Sequence, residues 1–159
     1  MAKTDKSINI FELTPHCTDE YFESVLDLLS EQMKFVGRKY NREEIKSAVL
    51  NAIRPDTRAY FFTAENAAGE VIGVCLVNIC SGIEAGGDYV WINEIHTRSD
   101  MRTKGIGQAL LKHIAKWGES IGCRYANAIT SPTNEIAQNL CRSVGFSVSK
   151  VTWLDKPLM

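Results

Sequence analysis

Between a stretch typical of a β-strand and a stretch typical of an α-helix, the chain reads Ser99-Asp100-Met101-Arg102-Thr103-Lys104-Gly105-Ile106-Gly107. Glycines at positions 105 and 107 remove the Cβ atoms that would keep an anion away from the backbone. The helix that follows begins with amide groups that have no partner inside the helix, at the positive end of its dipole. Arg102 and Lys104 add positive charge. The stretch therefore predicts a turn that binds a phosphate or diphosphate.

This turn differs from the two common nucleotide-binding motifs. Lys104 precedes Gly105, so the residue order of the P-loop is absent, and Leu110 stands where the dinucleotide-binding fingerprint has its last glycine. A strand-to-helix turn that needs glycine only for its backbone conformation explains the pattern equally well. The turn alone leaves both interpretations open.

The rest of the chain is predicted to form a single α/β domain over residues 1–159. Period and residue type indicate strands at residues 8–13, 59–65, 71–80, 89–97, 125–130 and 146–153. Apolar residues recur at helical spacing in residues 21–33, in a second helix carrying Ile45, Val49 and Ile53, and in residues 105–121 and 134–144. Because helices alternate with strands near the end, at least one strand pair is expected to be parallel, which makes the sheet mixed.

Composition excludes several classes of function. The chain of 159 residues is 45% hydrophobic and has a formal charge of −1, so we expect no nucleic-acid partner that binds by phosphate neutralisation. No apolar run is long enough to span a bilayer, and residues 1–6 are not followed by the apolar stretch of a secretory signal. We therefore expect a cytoplasmic protein without a membrane partner.

The cysteines and histidines point to no metal. The five cysteines form no C-x-x-C pair, and the three histidines lie far apart in the sequence. Neither a disulfide framework nor a zinc site is indicated, and a reducing compartment fits best.

A second pattern lies one helix and one strand after the turn. It has the form N-x-x-A-x-x-L-x-x-x-x-G-F and consists of Asn134, Ala137, Leu140, Gly145 and Phe146. Together with the turn at residues 102–107, it resembles the GCN5-related N-acetyltransferase (GNAT) family. The resemblance implies the acyl-CoA N-acyltransferase fold: a mixed, mostly antiparallel central sheet of six or seven strands flanked by about four helices.

The resemblance also implies an activity and its coenzyme site. Acetyl-CoA is the implied acetyl donor, with no metal, and the acceptor is a primary amine of a small molecule or peptide, attacked directly in a ternary complex. A strand should pair with the pantetheine arm, the turn should hold the pyrophosphate, and the second motif should contact the coenzyme. The matching positions are Ile95, His96 and Thr97 in the strand, Arg102, Thr103, Lys104, Gly105, Ile106, Gly107 and Gln108 in the turn, and Asn134 and Ala137 in the second motif.

An ammonium must lose a proton before it can attack, so the reaction needs a base. Glu94 is the natural base, because it lies on the implied coenzyme-binding strand shortly before the turn. The alternative is a glutamate at the strand edge that is simply solvated. His96 is two residues further on, so strict alternation puts it on the same face, unless a bulge intervenes.

Many family members have a tyrosine after the leucine of the second motif, but this chain has Cys141. Three interpretations stay open. Cys141 protonates the departing thiolate, another group or water does so, or the site is weakened. A cysteine packed as a small hydrophobic side chain is a fourth.

Two other functions remain open beside the small-molecule or peptide acetyltransferase. One is acetylation of a protein N-terminus or lysine on the same machinery. The other is a non-catalytic sensor or regulatory module that binds coenzyme A, for which the missing tyrosine is the hint. A homodimer is possible for this fold, but no residue of the sequence supports it.

Overall fold

The computed structural model describes residues 7–158. Residues 1–6, on which the expected absence of a secretory signal depends, and residue 159 lie outside the described residues. The elements in chain order are β1 Asn9–Glu12, α1 Asp19–Phe35, α2 Arg42–Ala52, β2 Ala59–Glu65, β3 Val71–Gly82, β4 Gly87–Thr97, a 3₁₀ turn Ser99–Met101, α3 Ile106–Ser120, β5 Ala126–Ala128 and α4 Glu135–Ser143. None of the helices in this range is both long and apolar enough to cross a membrane.

The strands form one sheet in the order β1-β2-β3-β4-β5. The first four are joined by antiparallel pairing, and β5 pairs in parallel with β4. The crossover that makes this last pair parallel contains α3, as a parallel connection requires. The predicted mixed, mostly antiparallel sheet and the four helices are confirmed.

The structure has fewer strands than were expected. The sequence indicated six or seven, whereas the described residues form five, and residues 146–153 form no strand. Phe146 packs against the core, but Val148, Val151 and Trp153 are exposed. Alternating β-branched and aromatic residues favour a strand only where a neighbouring edge and a layer to bury against are available. The adjacent strand, β5, has only three residues and offers little of either.

Helices cover both faces of the sheet, and each face has its own core. On one face, side chains of α1 and α2 such as Val25, Leu26 and Val49 pack against β2 and β3. On the other face, α3 contributes a row of buried residues, Ile106, Leu110, Leu111 and Ile114. The turn at residues 102–107 therefore leads directly into a helix that is packed against the sheet.

Helix α3 lies unusually close to the sheet at Gly118. A Cβ atom added there would lie 2.7 Å from Cγ2 of Val90 on β4, and Val90 is itself buried. We expect Gly118→Ala to lower the free energy of unfolding by about 1 kcal/mol, because overpacking of about 1–3 kcal/mol exceeds the gain of about 1 kcal/mol in helix propensity. Urea denaturation measures this change.

A double-mutant cycle provides the control for the Gly118 prediction. Combining Gly118→Ala with Val90→Ala should destabilise the protein less than the sum of the two single changes, because the new methyl group fills the space that Val90 leaves. Strict additivity would contradict the proposed clash.

Candidate active site

The edge of β4 becomes free halfway along the strand. Its parallel pairing with β5 covers only Val90 to Ile92, opposite residues 126–128. Beyond that point, residues 94–97 pair with β3 on one side, and within residues 7–158 β5 does not follow them on the other. The pairing of the two strands thus ends at Ile92. The backbone of Ile95, His96 and Thr97 lies in this stretch, where an extended ligand can pair as an additional strand.

A β-bulge lies just before Glu94. The register between β3 and β4 shifts at this point, because Leu76 pairs with Glu94 whereas Val77 pairs with Ile92. The extra residue is Asn93. Because the bulge precedes Glu94, regular alternation resumes at that residue, and the structure places the side chains of Glu94 and His96 on the same face, against α1.

Glu94 is half-buried and bonded to a side chain that the sequence analysis did not identify. Nε2 of Gln32 on α1 donates to Oε2 of Glu94 at 2.6 Å. Burial raises the pKa of the Glu94 carboxyl above its ordinary value, and the bond from Gln32 opposes that rise. A carboxylate with a raised pKa is better matched to accepting a proton near neutral pH than a solvated one.

His96 is buried beneath α1 and connects it to the turn. Its Nε2 lies 3.0 Å from Oε1 of Glu31, and the same carboxylate accepts hydrogen bonds from the backbone N–H and the hydroxyl of Ser99. Burial lowers the pKa of His96 below its ordinary value, although the contact with Glu31 opposes this. Glu31 thus links His96 to Ser99 in the segment before the turn, and the side chain of His96 is occupied by this contact and buried.

The start of α3 is not capped by a side chain. The side chains of Thr18, Asn41 and Asn134 cap α1, α2 and α4, but α3 begins at Gly105 without such a bond. The first amides of a helix have no partner within it, so those of Ile106, Gly107 and Gln108 remain available to an anion, whereas the amide of Ala109 donates to the carbonyl of Gly105. The side chain of Ile106 is buried in the core, so this residue can contribute only its backbone.

Glycine is favoured at the two positions of the turn for different physical reasons. Gly105 has φ +84°, a left-handed conformation, and a Cβ atom there would meet nothing within 4 Å. Its conformation, together with its exposure, fits an anion-binding turn. A Cβ at Gly107 would lie 3.0 Å from Cδ2 of Leu140, so this glycine also permits α4 to pack on α3.

The charged residues of the turn are exposed. The guanidinium carbon of Arg102 lies 4.5 Å from the centre of the Phe35 ring at the end of α1, a cation–π contact. Nζ of Lys104 contacts the sulfur of Met101 at 3.5 Å. Neither cation has a carboxylate partner among the ion pairs formed by residues 7–158. Both are therefore available to a diphosphate.

Thr103 holds a strained backbone conformation within the turn. Its φ of 62° is the only positive value at a non-glycine residue in the described part of the chain. A left-handed conformation costs an ordinary L-residue about 1–2 kcal/mol, and asparagine tolerates it better. We expect Thr103→Asn to raise the free energy of unfolding by about 0.5–1 kcal/mol, as measured by thermal and urea denaturation.

Thr130→Asn is the matched control for Thr103→Asn. Thr130 is also exposed and outside the helices and strands, but its φ is not positive. The same substitution there should change stability little. Equal effects at the two positions would show that Thr103 is not strained.

The second motif has structural functions of its own. Oδ1 of Asn134 accepts a hydrogen bond from the N–H of Ala137 at 3.1 Å and so caps α4. Nε2 of Gln108 donates to the hydroxyl of Ser143 at 2.9 Å and links α3 to α4. These contacts place the second motif beside the turn.

Cys141 lies on α4 and packs, half-buried, against the core on the α3 side of the sheet. Burial raises the pKa of its thiol, so the sulfur carries its proton at neutral pH. This environment fits a packed hydrophobic side chain, and it also keeps a proton on the group. Within residues 7–158, no group of three or more histidine, cysteine or acidic side chains is placed to hold a metal ion.

Glu31 and Gln32 were missed by the sequence analysis. Gln32 lies three residues after Leu29 and seven after Val25, on the apolar face of α1, so its burial could have been read from helical spacing. A polar residue on such a face needs a partner. That this partner is Glu94 follows only from the packing of α1 on β4.

Comparisons with known proteins identify the family of this chain. The family model "Acetyltransferase (GNAT) family" matches residues 22–146. Aminoglycoside N(6')-acetyltransferase type 1 of Salmonella typhimurium is 32% identical over 57 residues, which are 36% of this chain and 39% of that protein. The match thus spans about two fifths of the length of these curated relatives.

Solved structures show the same fold over nearly the whole chain. A probable acetyltransferase superposes with a TM-score of 0.82 at 18% identity, covering 95% of this chain and 98% of the other. The aminoglycoside acetyltransferase AAC(6')-Iy, in complex with a bisubstrate analogue of coenzyme A, has a TM-score of 0.75 at 21% identity, covering 95% and 99%. At these identities the likeness establishes the fold, while the family model establishes the family. The chain belongs to the GNAT family of acetyltransferases.

Proposed function

We propose that this protein transfers an acetyl group from acetyl-CoA to a primary amine of a small molecule. The observation that carries the proposal is the arrangement along β4 and α3. The free edge of β4, the half-buried Glu94 and the uncapped start of α3 follow one another within residues 93–108. An acetyltransferase needs a place for an extended thioester arm, a base and an anion site, and this segment offers all three.

The residues of the turn fit the coenzyme. Free amides at the start of α3, the exposed Gly105 and the cations Arg102 and Lys104, which form no ion pair within residues 7–158, would hold the pyrophosphate. The backbone of residues 95–97 would pair with the pantetheine arm. Asn134 and Ala137 would contact the coenzyme from α4, with Thr103, Ile106, Gly107 and Gln108 completing the turn. Bound there, acetyl-CoA supplies an activated acetyl thioester.

Glu94 would act on the acceptor. Its carboxylate takes a proton from the ammonium group, which leaves a lone pair on nitrogen for attack on the acetyl carbonyl. A backbone N–H of the stretch from Ile95 to Thr97 would stabilise the oxygen that becomes negative. The departing thiolate needs a proton, which the Cys141 thiol or a water molecule supplies.

The relatives support a small-molecule acceptor. The curated relatives and the structural neighbour AAC(6')-Iy are, by name, aminoglycoside acetyltransferases. Their acceptors are amino groups on polar, cationic molecules. We therefore infer a cationic small-molecule amine for this chain, with proteins and peptides as alternative acceptors to be included in the test.

The test is calorimetric titration of acetyl-CoA, followed by measurement of thiol release with a panel of aminoglycosides, polyamines and peptides. Saturable binding with release in the presence of one amine class supports the proposal and names the acceptor. Release only with peptides would replace the small-molecule acceptor. Binding without release would favour a coenzyme-A sensor, and absence of binding would refute the proposal.

A further inference from the structure

The side-chain amide of Gln32 is buried and only half satisfied. Gln32 is 5% exposed, and its Nε2 donates to Glu94, whereas its Oε1 has no hydrogen-bond partner among the described residues. A buried oxygen without a partner is costly, because it loses its water without gaining another bond. Since this oxygen belongs to the same amide that contacts the proposed base, its position requires an explanation.

The two ends of a glutamine amide are complementary to the two states of a carboxyl group. An ionised carboxylate only accepts hydrogen bonds, so it is matched by Nε2. A protonated carboxyl group has an O–H to donate, so it is matched by an oxygen. Rotation of the Gln32 amide by half a turn exchanges Nε2 for Oε1 at the same place.

We propose that Gln32 is a positioning residue for Glu94, whose amide donates to the ionised carboxylate and, after rotation, accepts from the protonated acid. The inference rests on the proposed role of Glu94 as the base. The proton leaves the acceptor nitrogen, becomes bonded to an oxygen of Glu94 and is later lost to water, while Gln32 neither gains nor loses a proton. Glu94 thus keeps one partner, in one place, through both states.

Three other side chains near Glu94 do not provide a partner for both of its protonation states. Cys75 on β3 is buried, and burial together with the charge of Glu94 raises the pKa of its thiol to about 12, so it stays neutral. On α1, Glu31 is occupied by His96 and Ser99, and His96 on β4 is bonded to Glu31. Burial sets the raised pKa of Glu94, and among the described residues Gln32 is the hydrogen-bond partner that opposes it.

The direct test is a carbon-13 NMR titration of the Glu94 carboxyl group, assigned by the signal that disappears in Glu94→Gln. Gln32→Met keeps the length of the side chain and removes the amide. We expect its titration midpoint to lie about one pH unit above that of the wild type, because the bonds to both states are lost and the bond to the charged carboxylate is the stronger of the two. An unchanged or lowered midpoint would overturn the inference.

Ser30→Ala is the matched control. Ser30 is also on α1, but its hydroxyl donates to the carbonyl of Leu26 within the same helix. This variant should titrate like the wild type. Should Gln32→Met fail to fold, Gln32→Asn replaces it, because its amide is one methylene too short to reach Glu94.

Kinetics distinguish positioning from a structural defect. A raised midpoint moves the acid limb of the kcat/KM profile of Gln32→Met upward by the same amount and leaves the rate at high pH nearly normal, whereas misfolding lowers the rate at every pH. If Glu94→Gln retains full turnover, the proposed base is wrong. If that variant is inactive while Gln32→Met shifts neither profile nor titration, only the inference about Gln32 fails.

Discussion

Replacing Glu94 with glutamine is expected to lower kcat for amine acetylation by about 10²- to 10⁴-fold, because the amide cannot accept the proton of the ammonium group. Glutamine has nearly the same shape, so the packing between β4 and α1 should persist. Acetyl-CoA should bind with unchanged affinity, since the anion-binding turn is untouched. Steady-state kinetics and calorimetry measure the two quantities separately.

The pH dependence of kcat/KM in the wild type provides a second test of Glu94 as the base. A base must be deprotonated to act, so kcat/KM should fall as the pH decreases through the pKa of Glu94. Because burial raises that pKa, the fall should begin at a higher pH than for a solvated glutamate. In the Glu94→Gln variant this acid limb should disappear.

Glu84→Gln is the matched control for the Glu94 prediction. Glu84 lies in the exposed turn between β3 and β4, so the same chemical change there should leave kcat unaltered. Full turnover by Glu94→Gln would place the base elsewhere. A loss of coenzyme binding in that variant would instead show that the carboxylate supports the fold of the turn.

Gly105→Ala is expected to weaken acetyl-CoA binding by about 5- to 30-fold. Gly105 has φ +84°, a conformation that costs alanine about 1–2 kcal/mol. The turn of the free variant relaxes away from this conformation, and the coenzyme must restore it when its pyrophosphate binds to the amides of α3. That cost therefore appears as lost affinity in a calorimetric titration.

The other end of α3 provides the control for Gly105→Ala. Gly122 has φ +85°, and a Cβ atom there would also meet nothing within 4 Å. Gly122→Ala introduces the same backbone strain of about 1–2 kcal/mol, measured by thermal denaturation, but should cause no loss of coenzyme affinity. Equal affinities of the two variants would exclude the turn at Gly105 as the pyrophosphate site.

The positions of β4 and α3 were predictable because local pattern determines them. Their residues alternate or recur with the period of a strand and a helix, and Gly105 marks the boundary between them. Residues 146–153 show the limit of such reasoning. Their pattern favours a strand, but pairing depends on a neighbouring edge, and the three residues of β5 supply almost none.

The contacts within the site could not be predicted from the sequence. Gln32 and Glu94 are 62 residues apart, and their bond requires α1 to pack on β4 in one register. Likewise, His96 was expected on the same face as Glu94, but its bond to Glu31 depends on the same packing. Gly107 was interpreted as clearance for an anion, whereas its closeness to Leu140 appears only once α4 is placed.

One turn of α1 has a consequence for how this enzyme can evolve. Within residues 31–35 it reaches the segment before the proposed anion-binding turn through Glu31, the proposed base through Gln32 and Arg102 of the turn through Phe35. A mutation in residues 31–35 of α1 that favours a new acceptor is therefore expected to alter the binding of acetyl-CoA as well. Selection for a changed acceptor range is expected to enrich substitutions elsewhere, and to keep these three positions nearly constant among variants that stay active.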